Sequence, residues 1–135
     1  MVVAFQPHQF QRTLLLLDDF AEAMAGSDIA LITEIYGARE TDEIMASVSA
    51  GDLVNGVREH GCEAHFAGPV ANLPEVVAEH YRAGDVVLIL GAGDIDAAVA
   101  PATPAQAPRG LWVCKSHGDS AQVDGVVRGA HAARP

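Results

Sequence analysis

The sequence predicts an α/β fold that is Rossmann-like, a mostly parallel sheet flanked by helices. Three observations carry this. Short apolar runs, VVAF, IALITE and DVVLIL, read as buried strands. The stretches between them place apolar residues at helical spacing. The two kinds alternate as β-α-β-α-β-α-β, the order in which crossover helices cover both faces of a parallel sheet.

Each element has a local reason. Residues 2–5 form the opening strand. Residues 14–24 follow as a helix, with Leu14, Leu17, Phe20, Ala21 and Met24 on one face and Gly26 and Ser27 at its end. Residues 29–34 are the second strand, and YGARETDEIMAS is a polar connector. Ser49 is placed to cap the next helix, with Asp52 three residues on as its capping-box partner and Gly61 as the stop. Residues 62–66 give a third strand. Asn72 is placed to cap a helix with Pro74 in its first turn, where a missing N–H costs little, and Gly84 closes it. Residues 85–90 are the fourth strand, GAGD turns out of it, and residues 95–100 begin a last helical turn. These hundred residues are expected to be one domain. Residues 101–135 read as a Pro/Ala/Gly-rich linker and tail. Its one short apolar piece, residues 111–114, adds an edge strand or belongs to a disordered tail.

The chain has 135 residues and 50% hydrophobic content, enough for one core. Eighteen acidic residues against eight basic ones give a net charge of -10, which argues against a nucleic-acid binder. A small anionic ligand needs only a few local donors and stays compatible. No run of about 18 apolar residues suggests a membrane span, and no basic-then-apolar leader suggests a signal peptide. A cytoplasmic protein is expected. Cys62 and Cys114 lack metal-like spacing and read as reduced thiols.

In a parallel sheet, ligands bind beyond the carboxyl ends of the strands. FQPHQFQRT, EIYGARE and LGAGDI all leave such ends and are expected to converge. His8 and Arg12 stand four apart in the first of these. A guanidinium clamps a carboxylate or phosphate with two parallel bonds, and an imidazole donates or carries a proton near neutrality. The bland alternative is a surface His beside a solvated Arg. Gly91, Gly93 and Asp94 make an incomplete dinucleotide fingerprint: glycines let backbone N–H groups approach a ligand, or simply serve a tight turn. Arg39 and Glu40 form a surface ion pair or face the ligand edge. Asp18 and Asp19 read as a solvated helix side. His60, His65, His80, His117 and His131 show no ligand spacing and read as surface residues, and no metal site or catalytic residue is assigned.

Taken in order, FQPHQFQRT, LLDDF, ITEIYGARE, SAGDL and GDVVLILGAGDI resemble the C-terminal domain of the Mur ligase family, its alanine-adding branch. The resemblance covers residues 2 to about 96. It implies an ATP- and Mg2+-dependent enzyme of peptidoglycan precursor synthesis. In that reaction the carboxylate of UDP-N-acetylmuramate becomes an acyl phosphate, and the amine of L-alanine attacks it. By the same resemblance His8, Gln9 and Arg12 approach the amino-acid carboxylate, and Gly91, Gly93 and Asp94 lie beside that pocket. Gln9 replaces an arginine of the family motif, so one cation of the clamp is missing. The resemblance also implies a truncated domain that lacks its first strand and the partner N-terminal and central ligase domains. The isolated chain is then expected to be inactive. Two further readings remain: a standalone Rossmann-like binding module, or the sibling ligase that adds a peptide to UDP-N-acetylmuramate.

Overall fold

The structure is a computed structural model that describes residues 1–91 and 94–95, with residues 111–117 and 120–122 described as backbone. Five parallel strands, β1 (Val2–Gln6), β2 (Ile29–Thr33), β3 (Glu63–Gly68), β4 (Val87–Gly91) and β5 (Leu111–His117), make one sheet with a sixth, β6 (Ser120–Gln122), antiparallel to β5. The strand order is β3-β2-β1-β4-β5-β6. The helices are α1 (Phe10–Leu15), α2 (Leu17–Met24), α3 (Asp42–Met45), α4 (Ala50–Glu59) and α5 (Leu73–His80), the last preceded by a single 3-10 turn.

β1 sits inside the sheet, with Ala4 opposite Leu31 of β2 on one side and Ile89 of β4 on the other. Its alternating side chains feed two cores. Val3 packs with Ala21 and Met24 of α2 and Leu53, Val54 and Val57 of α4 on one face. Val2 and Ala4 pack with Leu73 and Val77 of α5 and with Ile89 and Ile95 on the other. Each fully buried Leu, Ile or Val contributes about 1.5–3 kcal/mol of transfer free energy, so a helix on each face is what makes a two-sided apolar strand stable. α4 begins as the sequence predicts: the Ser49 hydroxyl accepts from the Asp52 N–H at 3.2 Å, and the Asp52 carboxylate accepts from the Ser49 N–H at 2.7 Å. Gly61 ends it at φ 84°, a left-handed position that suits glycine.

Several expectations need correction. The first helix starts four residues earlier than its apolar spacing suggests, at Phe10, and breaks at Leu16 (φ -111°, ψ 20°). Leu14 is exposed, and Thr13 is the buried residue of α1, so the buried apolar face of this pair begins only in α2. The polar connector contains α3, capped by the Thr41 hydroxyl. Asn72 is helical and makes no side-chain cap, because the 3-10 turn already precedes α5. The opening strand, expected to border a missing one, is paired along both sides. Of the two alternatives for residues 111–114, the strand is realised, and as β5 it lies between β4 and β6 rather than at an edge. The helical turn expected at residues 95–100 lies outside the described residues after Ile95.

Candidate functional site

The site is built where β1, β2 and β4 end. β1 closes on Gln6, whose side chain is almost fully buried and donates from Nε2 to the Asp94 carboxylate at 2.8 Å. This bond ties the end of β1 to the loop after β4. Gly91, opposite Gln6 in register, allows the close approach: a Cβ there would lie 2.8 Å from Ile95 Cγ2 and 3.1 Å from Gln6 Cβ. A packing requirement therefore accounts for this glycine without a ligand. Among the described residues, the buried Gln6 Oε1 has no hydrogen-bond partner. Such an orphan acceptor costs about 1–3 kcal/mol.

Beyond Gln6 the chain makes one short bridge to the loop after β2. Tyr36 donates its N–H to the Pro7 carbonyl, and Gln9 donates its N–H to the Tyr36 carbonyl, both at 2.8 Å. The bridge stacks the His8 ring on Tyr36, centroids 5.6 Å apart and planes 22° from parallel. Gln9 then turns at φ 67°, ψ 128° into α1 without capping it by its own side chain. The buried Thr13 hydroxyl donates to the Gln9 carbonyl at 2.8 Å and fixes that turn from below.

The cap of α1 comes from thirty residues away. Glu40 accepts from the Phe10 N–H at 2.9 Å and from the Gln11 N–H at 2.8 Å. Desolvation would raise the Glu40 carboxyl, but donation from Gln11, Phe10 and Ala38 and the nearby His8 outweigh it and hold the group below its ordinary value. Glu40 binds the backbone at the start of α1 rather than a cation. The ion pair among the described residues is Met1 with Asp28, and Glu63 also lies within hydrogen-bond distance of His65.

The three loops thus meet as their positions in the sheet predict. His8 is half-buried at the meeting point, Gln9 shapes its backbone, and Arg12 projects from α1 as an exposed cation. Asp94 is held by Gln6, and Gly93 lies outside the described residues. Gln6, Thr13 and Tyr36 build the site yet escaped the sequence reading. Gln6 and Tyr36 act through partners distant in sequence, Asp94 and His8, whereas Thr13 bonds the Gln9 carbonyl only four residues before it. His65 and His80, read as unrelated surface residues, come together with Glu63 elsewhere on the molecule. Cys62 is a free, buried thiol.

A hundred residues of the chain are 45% identical to the UDP-N-acetylmuramate–L-alanine ligase of Sorangium cellulosum, covering 73% of this chain and 21% of that one. The chain is related to the UDP-N-acetylmuramate–L-alanine ligases. The protein of that name from Alkaliphilus metalliredigens is 44% identical over 92 residues, and that from Verminephrobacter eiseniae is 40% identical over 98. The chain spans about a fifth of the length of these relatives, 21%, 19% and 20%. No family model matches it. No described helix is long and apolar enough to cross a membrane.

Proposed function

We propose that this chain is the amino-acid-positioning part of an ATP-dependent ligase that joins L-alanine to UDP-N-acetylmuramate. The observation that carries the proposal is the convergence of the His8–Arg12 turn with the Asp94 loop at the carboxyl end of the sheet. It stands beside the relatedness to proteins named for that reaction.

The described residues do not fit the ATP phosphates or Mg2+. The sequence has one lysine, Lys115, and no phosphate loop. The Glu40 carboxylate is already occupied by two N–H groups, and that of Asp94 holds Gln6. No phosphoryl step is assigned to this chain. Its own contribution is orientation: Arg12 offers a two-pronged donor to the alanine carboxylate, and His8, held flat against Tyr36, offers a ring N–H from a fixed direction. With the carboxylate held, the alanine amine is presented to the activated carboxyl carbon supplied by the rest of the ligase. Positioning of this kind supplies several kcal/mol of a bimolecular barrier. Glu40 fills the amino end of α1, so the carboxylate must be read by side chains rather than by that helix end. Gln9 contributes no cation.

Assayed together with the remaining parts of such a ligase, Arg12→Ala should raise the KM for L-alanine about tenfold or more, as loss of a charge-assisted contact does. It should leave the KM for ATP within about twofold. Equal increases for both substrates would remove Arg12 from the amino-acid clamp and the proposal with it.

A further inference from the structure

A second cluster stands at the opposite end of the sheet. Among the described residues β3 is an edge strand, paired only to β2. Its residues 63, 65 and 67 point to the face covered by α5, where Ala67 packs in one core with Leu73 and Val77. One turn beyond Val77, at the last residue of α5, stands His80. Because α5 runs back over the parallel sheet, its end meets the beginning of β3. That is the amino end, away from the loops that hold His8 and Arg12.

There the donor atoms of Glu63, His65 and His80 all lie within 4.8 Å of one another. His65 Nε2 is 2.8 Å from Glu63 Oε1, and the two imidazole rings have centroids 4.5 Å apart. His80 Nδ1 lies 2.8 Å from the Val76 carbonyl oxygen. A carbonyl only accepts, so Nδ1 carries the proton and the Nε2 lone pair is free. Fixing one ring nitrogen by a backbone carbonyl is how proteins orient a metal-binding imidazole. The side chains of His65 and Glu63 are 37% and 59% exposed, which leaves room for water as a further ligand.

We propose that Glu63, His65 and His80 form a surface site for a late first-row divalent cation, zinc(II) first, that pins the end of α5 to edge strand β3. Two imidazoles and one carboxylate are the donor set that suits zinc and its neighbours, whereas Mg2+ and Ca2+ favour all-oxygen sites. Bond lengths of about 2.0–2.2 Å at a tetrahedral centre need donors roughly 3.4 Å apart. The three atoms reach that spacing by small side-chain rotations on elements whose backbones are already packed. Arg82, whose charge also reaches Glu63, is exposed to solvent.

The test is calorimetric titration of ZnCl2 into the 135-residue chain in a non-chelating buffer, with MgCl2 as control. The proposal expects a saturable zinc site that His65→Ala and His80→Ala each weaken about tenfold or more. Glu63→Gln, which keeps the side-chain shape, should weaken it in the same direction. His60→Ala should leave it unchanged, and Mg2+ should not compete. Zinc binding of equal strength in the wild-type chain and in correctly folded His65→Ala and His80→Ala variants overturns the proposal, as does no saturable binding at 100 μM zinc, about the weakest affinity worth calling a site. The circular dichroism spectrum of each variant establishes that it is folded.

Discussion

Gln9 holds φ 67°, a backbone region that side-chain-bearing residues rarely enter. Residues kept there cost about 1–3 kcal/mol and persist only where their surroundings over-determine them. Here the Tyr36 carbonyl accepts the Gln9 N–H and the Thr13 side chain donates to the Gln9 carbonyl, so both ends of the residue are held. The strain is placed next to His8, whose ring it aims. Gln9→Gly should therefore raise the unfolding free energy by about 1 kcal/mol, measured by urea denaturation. An unchanged or lower stability would mean that Gln9 is not strained. The sequence made His8, Arg12 and Asp94 visible, because FQPH, the following Arg and GAGD are local patterns. It left Gln6, Thr13 and Tyr36 unseen. Gln6 and Tyr36 act through partners brought near by the fold, Gln6 and Asp94 being 88 positions apart, while the Thr13 bond to Gln9 is local but needs the turn at Gln9 to form. Of the two readings of Gly91, a ligand approach or a tight turn, the structure supplies a steric reason that needs no ligand, the close packing of Ile95 and Gln6.

α1 shows why element boundaries were harder to read. Six residues are far fewer than the roughly 12–15 an isolated helix needs, and no residue at its start caps it. Its apolar spacing begins only at Leu14, so the polar first turn looked like a connector. What caps it is Glu40, from beyond β2, a signal with no local trace. α4, by contrast, carries Ser49 and Asp52 in its own sequence and was legible to within a residue. The Glu40 cap also makes α1 sensitive to acid. Its carboxyl is lowered in the folded state, so its stabilising contribution is complete above the ordinary glutamate value and is lost as pH falls through the lowered folded value. Hydrogen exchange followed by NMR should then show the Phe10 and Gln11 amides losing protection below about pH 4, ahead of the β1 and β2 amides. Glu40→Ala should remove that protection several-fold already at neutral pH, as loss of a cap does. Protection of these two amides that is indifferent to both acid and the substitution would show that Glu40 is not the cap.

At the scale of the molecule, the alternation of apolar runs with amphipathic stretches was enough to predict the parallel sheet, since a strand buried on both faces must be apolar throughout. What it assigned to a linker and tail, with an edge strand as the alternative, was the stretch holding Leu111 to Cys114, a short run with no helix pattern around it. The sheet explains the difference. β4 is as apolar as β1, yet β1 occupies only one of its two sides. Its other side pairs with β5 in continuous register, Val87 opposite Leu111 through Gly91 opposite Lys115. A central-type strand left open on that side would present unpaired N–H and C=O groups beside Val87 and Ile89, a template for association with another chain. β6 then turns back on β5 as a three-residue edge, short enough to offer little to a neighbour. A chain ending at residue 100 should accordingly melt at a lower urea midpoint than the 135-residue chain, and its elution volume in size-exclusion chromatography should depend on concentration. The loss should amount to about 2 kcal/mol or more, the scale of leaving backbone N–H and C=O groups of β4 without their ladder partners. Identical melts and a concentration-independent monomer for both chains would show that β4 does not need β5, and that the sheet is self-sufficient at four strands.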